Sequence, residues 1–462
     1  MTTDSTLLPQ APHPLRWRML GFLGAAQLML ILDVTVVAIA LPHIETELHL
    51  SREALTWTVS AYTLVFGGLM LLGGRIADLV GAKRVVLAGL LIFTAASLAT
   101  GLAGSSELLL GGRIAQGVGA ALLSPAALSL VVTLFDGEER NKALGIWSAL
   151  GGGGAALGLL LGGLLTAGPG WAWVFFINVP IGLAIIAALA RLLPRQGATA
   201  PRARLDLLGA LLVTASSGVL IYALINAGDA GWLSAATGTL VLAAVIGYLL
   251  FVLWQRKARS PLMDVVLLAR RPVATGTFLI LMATVLMIAV FFLGTFYFQH
   301  GRGYGALRTG LLFLPVALAT MAGANATGRA LAKHGSRRLA VAGLLIAAVG
   351  LTIPALWTNP VAVTVGVAIA GAGTGALYVV ASATALGQVA PHEAGIASGI
   401  VSTFHEFGAS IGAAVVSSVA AVSIAGDSLT GFTNGFIVIA ISAGAGAVVA
   451  AFLTPGRPAA AR

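Results

Sequence analysis

The chain has 462 residues, of which 58% are hydrophobic and only 9% charged, against roughly a quarter charged in a soluble domain. So little polar surface excludes a water-soluble globule, and a formal charge of +10 spread through short loops argues against a nucleic-acid partner. No cysteine is present, which excludes disulfides and thiolate chemistry.

The first fifteen residues hold Pro9, Pro12 and Pro14 but no apolar run before a small-residue cleavage site, so no removable signal peptide is expected. Beyond them, apolar blocks of about 20 residues, long enough to cross a bilayer as helix, recur along the chain. They predict fourteen transmembrane helices beginning near residues 18, 54, 85, 107, 142, 171, 206, 233, 272, 306, 338, 361, 394 and 432. Alternate connections should share a compartment, and the cations agree. One side collects Arg16, Arg18, Arg75, Lys83, Arg84, Arg140, Lys142, Arg191, Arg195, Arg202, Arg204, Arg256, Lys257, Arg259, Arg270, Arg271, Arg329, Lys333, Arg337, Arg338, Arg457 and Arg462. The other has Arg52, Arg302 and Arg308, with Arg113 left inside a span. The positive-inside rule then places the basic loops and both termini in the cytoplasm.

An offset of 254 residues aligns several segments at once. Gly74, Arg75, Gly81, Lys83 and Arg84 match Gly328, Arg329, Gly335, Arg337 and Arg338. Gly117 and Gly119 match Gly371 and Gly373, and Gly145, Gly154 and Gly158 match Gly399, Gly408 and Gly412. Two similar six-span halves are expected, with spans seven and eight inserted between them. The expected organisation is a tail over 1–15, an N-terminal bundle over 16–193, a loop with two inserted helices over 194–260, a C-terminal bundle over 261–455 and a tail over 456–462. Parallel halves place a central cavity between them, and rocking of the halves would expose it alternately to the two sides.

The loop from Gly74 through Asp78 and Gly81 to Lys83 and Arg84 resembles the signature loop of the major facilitator superfamily. Leu32-Asp33 to Pro42, Arg113 to Gly119 and Trp171 to Pro180 are similar to first-, fourth- and sixth-span motifs of its fourteen-span drug:proton antiporter family. The antiporter motif of the fifth span is met by Gly158 to Gly163, with Leu159 where the family carries proline. Gly154, Gly158 and Gly162 share a helix face that permits close approach, and Gly163 completes the motif. Two further departures are Ala332, which replaces Asp78 in the second copy of the loop, and Glu406, where the family usually has glutamine. The resemblance implies an all-α polytopic fold in a bacterial cytoplasmic membrane and export of small lipophilic drugs or toxic compounds, cationic ones included, against inward protons.

A charge at the bilayer centre costs at least ~2.5 kcal/mol, so ionisable groups within spans should face a cavity or a partner. Asp33 is the leading candidate for proton and substrate coupling, since burial and a nearby cation shift a carboxyl in opposite senses. Arg113 would tune it, although a static Asp33–Arg113 pair is the structural alternative. Glu406 is a second candidate, beside His405 in sequence but about 100° away around a helix, with a family variant that stays protonated and donates one hydrogen bond as its alternative. Tyr62, Phe292, Phe296, Tyr297 and Tyr378 are expected to line the cavity, with plain packing as their alternative.

Other chemistry is not indicated. There is no P-loop, the seven histidines lack metal-ligand spacing, and no serine sits in a recognisable nucleophile arrangement. The expectation is a monomer in the lipid bilayer with a small-molecule substrate, protons as coupling ion, and no cofactor, metal or enzymatic step. Export of one endogenous metabolite or antibiotic is the alternative within transport, and a non-transporting scaffold or sensor the alternative outside it.

Overall fold

A computed structural model describes residues 14–193, 204–387, 389–390, 393–424 and 429–455. The expected tails, apart from residues 14 and 15, and Arg195, Arg202, Arg457 and Arg462 lie outside the described residues. The helices are α1 (Arg16–Leu48), α2 (Arg52–Val80), α3 (Ala82–Gly101), α4 (Ser106–Leu134), α5 (Gly137–Ala167), α6 (Trp173–Phe176), α7 (Asn178–Leu192), α8 (Leu207–Ala230) and α9 (Ala235–Lys257). They continue as α10 (Val265–Ala269), α11 (Arg271–Phe296), a π-helical turn (Tyr297–Gly301), α12 (Ala306–Leu312), α13 (Leu314–His334), α14 (Ser336–Leu356), α15 (Pro360–Leu386), α16 (Ala394–Val419), α17 (Ala421–Ile424) and α18 (Thr430–Leu453). Among the described residues these supply 14 stretches long and apolar enough to cross a membrane, and no strand is present. Helix is the open-ended solution in lipid, because every backbone N–H and C=O must bond within its own segment.

Local sequence sets the ends and breaks. Ser51 and Ser105 accept from the N–H groups of Ala54 and Leu108 and so cap α2 and α4. Pro180 has no N–H for the carbonyl of Phe176, and the sixth span breaks between α6 and α7. Pro315 does the same for Leu311, separating α12 from α13. Single residues Gly81 and Gly335, at φ 98° and 77°, turn α2 into α3 and α13 into α14. Few other side chains tolerate that backbone.

The two halves repeat each other in contact as well as in sequence. Gly89 and Gly119 let α3 and α4 touch backbone to backbone, and Gly343 and Gly373 do so for α14 and α15. Gly117 lies against the Tyr62 carbonyl, and Gly371 against that of Val316. Lys83 donates from Nζ to the carbonyls of Ala190 (2.8 Å) and Leu193 after α7. Its repeat partner Arg337 donates from Nε to the Thr454 carbonyl after α18 at 2.9 Å. Each half thus closes its last helix with the basic residue of its signature loop.

Of the inserted pair, α8 packs against α2 and α16 together, one helix from each half, and α9 packs on α8. Gly68 faces Thr214 and Gly228 faces Ser418. Arg52 on α2 donates to Asp229 (2.5 Å) and the Ile225 carbonyl (3.1 Å) of α8, and to Ser417 of α16 (3.4 Å). At the other end of the pair, buried Asp206 accepts from Gly209 N (2.8 Å), Trp254 Nε1 (2.7 Å), Gln255 Nε2 (2.6 Å) and Leu262 N (3.3 Å). Burial pushes this carboxyl up, but the four donors outweigh it and hold Asp206 below its ordinary range.

The halves join most closely at the end away from the basic loops. There Thr56 and Ser417, and Thr63 and Ser410, share hydroxyl bonds of 2.6 Å. Gln299 Nε2 donates to the Ile39 carbonyl at 2.9 Å, and His300 lies 3.6 Å from Glu45. Toward the basic end, α5 from Asn141 to Ala149 and α13 from Met321 to Arg329 present mostly exposed or half-exposed side chains. The α5–α13 side is therefore splayed at that end.

Candidate transport site

Four helices deliver polar side chains to one buried point of the first half, and α2 adds a backbone carbonyl and an aromatic ring. Asp33 comes from the middle of α1 and Arg113 from the second turn of α4; they are 2% and 1% exposed. Arg113 Nη1 pairs with Asp33 Oδ2 and donates to Gln116 Oε1 at 2.9 Å. Gln116 Nε2 donates to Asp33 Oδ1 (3.0 Å) and lies 2.9 Å from Ser97 Oγ of α3. Asn178 of α7 reaches the same Ser97 at 3.4 Å. Arg113 Nε donates to the Thr58 carbonyl of α2 at 2.8 Å, and the Tyr62 ring lies over its guanidinium at 4.4 Å.

Asp33 and Arg113 find each other across 80 residues of sequence, but they face no opening in this conformation; Asp33 is sealed within its own half. Gln116, Ser97, Asn178 and Thr58 complete the site; Gln116 and Asn178 fall within the fourth- and sixth-span motifs but were not assigned to it from sequence, and Ser97 and Thr58 were not singled out. Gln116 carried a usable signal, three residues after Arg113 and so on the same helix face. Thr58 carried none, because it contributes its backbone.

The cavity-lining expectation fails for four of five aromatics. Tyr62, Phe292, Phe296 and Tyr297 are buried in packing. Tyr62 belongs to the Arg113 cluster, Phe292 lies tilted against Phe296 at 5.0 Å, and the Tyr297 hydroxyl donates to the Thr358 carbonyl. Phe292 and Phe296 lie on α11, which is apolar on every side and central to its half, so its aromatics meet neighbours in all directions. Tyr378 alone is half-buried, 5.9 Å from the His405 ring.

His405 and Glu406 diverge as helix geometry requires. His405 is half-buried, its Nδ1 2.9 Å from Thr284 Oγ1 of α11. Glu406 is 9% exposed and turns to the seam between halves, where its Cβ lies opposite Gly67 of α2. A carboxylate in this apolar seam can hold a proton or pair with a cationic group.

The glycines of the fifth span face the helix that carries Asp33. Gly154 lies against Leu28 and Ile31, Gly158 against Leu32 and Thr35, and Gly162 against Val36 and Ile39. Gly163 instead meets Ala306 and Leu307 across the seam. With Leu159 in place of proline, α5 runs unbroken. In the signature loop Gly81 makes the turn, whereas Gly74 has only Pro125 at ordinary distance. Gly73 is the residue pressed against the Ala121 backbone. Asp78 is half-buried in the last turn of α2, and Arg84 is exposed.

The family model of the Major Facilitator Superfamily matches residues 23–413 and 316–462. The chain is 37% identical to the puromycin resistance protein pur8 of Streptomyces alboniger, over 89% of this chain and 83% of that one. It is 35% identical to the cephamycin export protein CmcT of Amycolatopsis lactamdurans (95% and 91%) and 33% identical to the multidrug resistance protein Stp of Mycobacterium tuberculosis (86% and 74%). In fold it is similar to a bacterial homolog of the human lysosomal transporter Spinster in an inward-facing, occupied conformation, with TM-score 0.68, 16% identity and coverage of 96% and 97%. It is also similar to the POT family transporter PepTSo, with TM-score 0.66, 18% identity and coverage of 96% and 98%. With its fourteen apolar helices, repeated halves and these matches, the chain belongs to the major facilitator superfamily.

Proposed function

We propose that the protein is a proton-coupled antiporter that exports small lipophilic compounds, cationic ones included, by alternating access. The observation that carries this reading is the Asp33–Arg113 pair. A buried ion pair is a poor stabiliser, and well-packed apolar residues often serve as well or better. At the repeat offset the second half puts Val367 and Ala370 in place of Arg113 and Gln116, and both are fully buried. The packing therefore does not need the charges, and a proton-handling role accounts for them.

In this reading a proton arriving at Asp33 neutralises it and dissolves the ion pair, while Arg113 keeps Thr58 and Gln116 as acceptors. That change loosens α1 from α4 and is transmitted to α5, which packs on α1 through the glycine face. Glu406 at the seam supplies a negative charge for cationic substrates. The basic end faces the cytoplasm by the positive-inside rule, and the splayed conformation is open to that side. The bundles over 16–193 and 261–455 are the moving bodies, and one chain carries the complete site. No cofactor, metal or enzymatic step enters.

The test is uptake of ethidium and of neutral lipophilic dyes into inside-out vesicles under an imposed pH gradient. Wild type should accumulate dye, and Asp33→Asn should fall to the level of vesicles lacking the protein. Undiminished transport by Asp33→Asn with unchanged pH dependence would contradict the reading. The names of relatives such as the cephamycin export protein favour a second reading, export of a single endogenous antibiotic. A narrow response across the dye and antibiotic panel would select it.

A further inference from the structure

Tyr62 is fully buried and turns its ring face to a cation. The Arg113 Cζ stands 4.4 Å from the ring centroid, and Phe66 and Phe93 hold the ring from two sides at 5.7 and 6.5 Å. Its hydroxyl is 3.5 Å from the Leu30 carbonyl of α1, a weak anchor. The ionisable groups facing it are Asp33 from α1, Arg113 from α4 and Glu406 from α16, while α3 contributes only Phe93.

The value of the ring follows from charge balance. While Asp33 is ionised, Arg113 has a carboxylate partner. Once a proton neutralises Asp33, the guanidinium stays charged, because arginine does not give up its proton in proteins. It is then a buried cation with two neutral acceptors, Thr58 O and Gln116 Oε1, and one aromatic face. Desolvation strengthens attraction between a cation and a ring face. The second half supports a paired purpose. Where Arg113 becomes Val367, Tyr62 becomes Val316, so cation and ring are absent together.

We propose that Tyr62 is a positioning residue for proton coupling, its ring face holding the Arg113 cation in place during the part of the cycle in which Asp33 is neutral. This rests on the reading that Asp33 carries the coupling proton. Without the ring, the neutral-Asp33 state contains a poorly compensated buried cation, and transport then requires more acid.

The experiment is ethidium transport by purified protein in proteoliposomes, recorded against pH for wild type, Tyr62→Leu, Tyr62→Phe and Asp33→Asn. Tyr62→Leu should move the half-maximal pH to lower values by about one unit. Tyr62→Phe, which keeps the face and loses only the hydroxyl, should restore the wild-type midpoint. Should Tyr62→Leu not accumulate, Tyr62→Met carries the same prediction. An unmoved midpoint in the aliphatic variant, or an equal displacement by Tyr62→Phe, overturns the role of Tyr62 while an Asp33→Asn variant that moves no dye at any pH leaves the proton reading standing. An Asp33→Asn profile identical to wild type overturns both.

Discussion

In each half of the molecule two helices touch through a pair of glycines, Gly89 with Gly119 and Gly343 with Gly373. One to two turns away the halves part company. The first surrounds Arg113 with Asp33, Gln116, Ser97 and Tyr62; the second has Val367 with Ala370, Leu351 and Val316, and either Leu286 or Met287 in the place of Asp33. The same backbone contacts are thus built with and without buried charge. What the comparison teaches is that the glycine contacts, present in both halves, form with or without a buried ion pair beside them. The second half has its own polar group, His405 and Glu406, at positions where the first half carries Gly151 and Gly152.

The comparison can be broken most forcefully by removing one partner of the pair. Arg113→Val leaves the Asp33 carboxylate buried and should destabilise by about 3–5 kcal/mol, whereas Val367→Ala at the equivalent place should lose only about 1 kcal/mol. Thermal or denaturant unfolding in detergent reads both. Next, Gly119→Val and Gly373→Val should each lose about 1–3 kcal/mol, because an added side chain meets the neighbouring helix backbone in both halves. Equal losses sharpen the statement that these glycines are structural, while a loss confined to one half would break it.

A third region has no counterpart in either half. The Asp206 carboxylate ties α8, α9 and the segment before α10, and its lowered proton affinity means that the ionised form is the one bound. Its stabilisation is therefore present above the ordinary carboxylate range, near pH 4, and lost as pH falls through the lower value it has in the fold. Asp206→Asn should be less stable than wild type at pH 7, and the difference should shrink below about pH 4. The smallest effects belong to the helix closures. Lys83→Met and Arg337→Met should each cost about 0.3–1 kcal/mol, in parallel, if the two loops do the same work.

Much of the fold was legible because hydropathy acts over whole spans. The expected helix starts at 54, 107, 272 and 306 lie within about two residues of the observed α2, α4, α11 and α12. The repeat was legible through glycines and basic loop residues, whose constraints are local. Of the candidate site the charged members stood out, since Asp33 and Arg113 are costly in lipid. Of its remaining members only Gln116 carried a signal. Ser97 and Thr58 owe their role to helices brought together only in three dimensions. The aromatics of α11 gave no direction, because a helix apolar on all sides offers no sequence signal for the face that meets a cavity. Gly74 was chosen over Gly73 for the same reason, since one step along a helix turns the residue by about 100° and only packing says which one touches α4.

The central claim is that the first half keeps a buried ion pair for proton coupling and not for packing. The direct measurement is the double replacement Asp33→Leu with Arg113→Val, which copies the second half into the first, assayed in proteoliposomes for folding and for pH-gradient-driven dye transport. The account predicts a protein as stable as wild type or more so that moves no dye in response to the gradient. A double variant that transports with wild-type rate and pH dependence would contradict it.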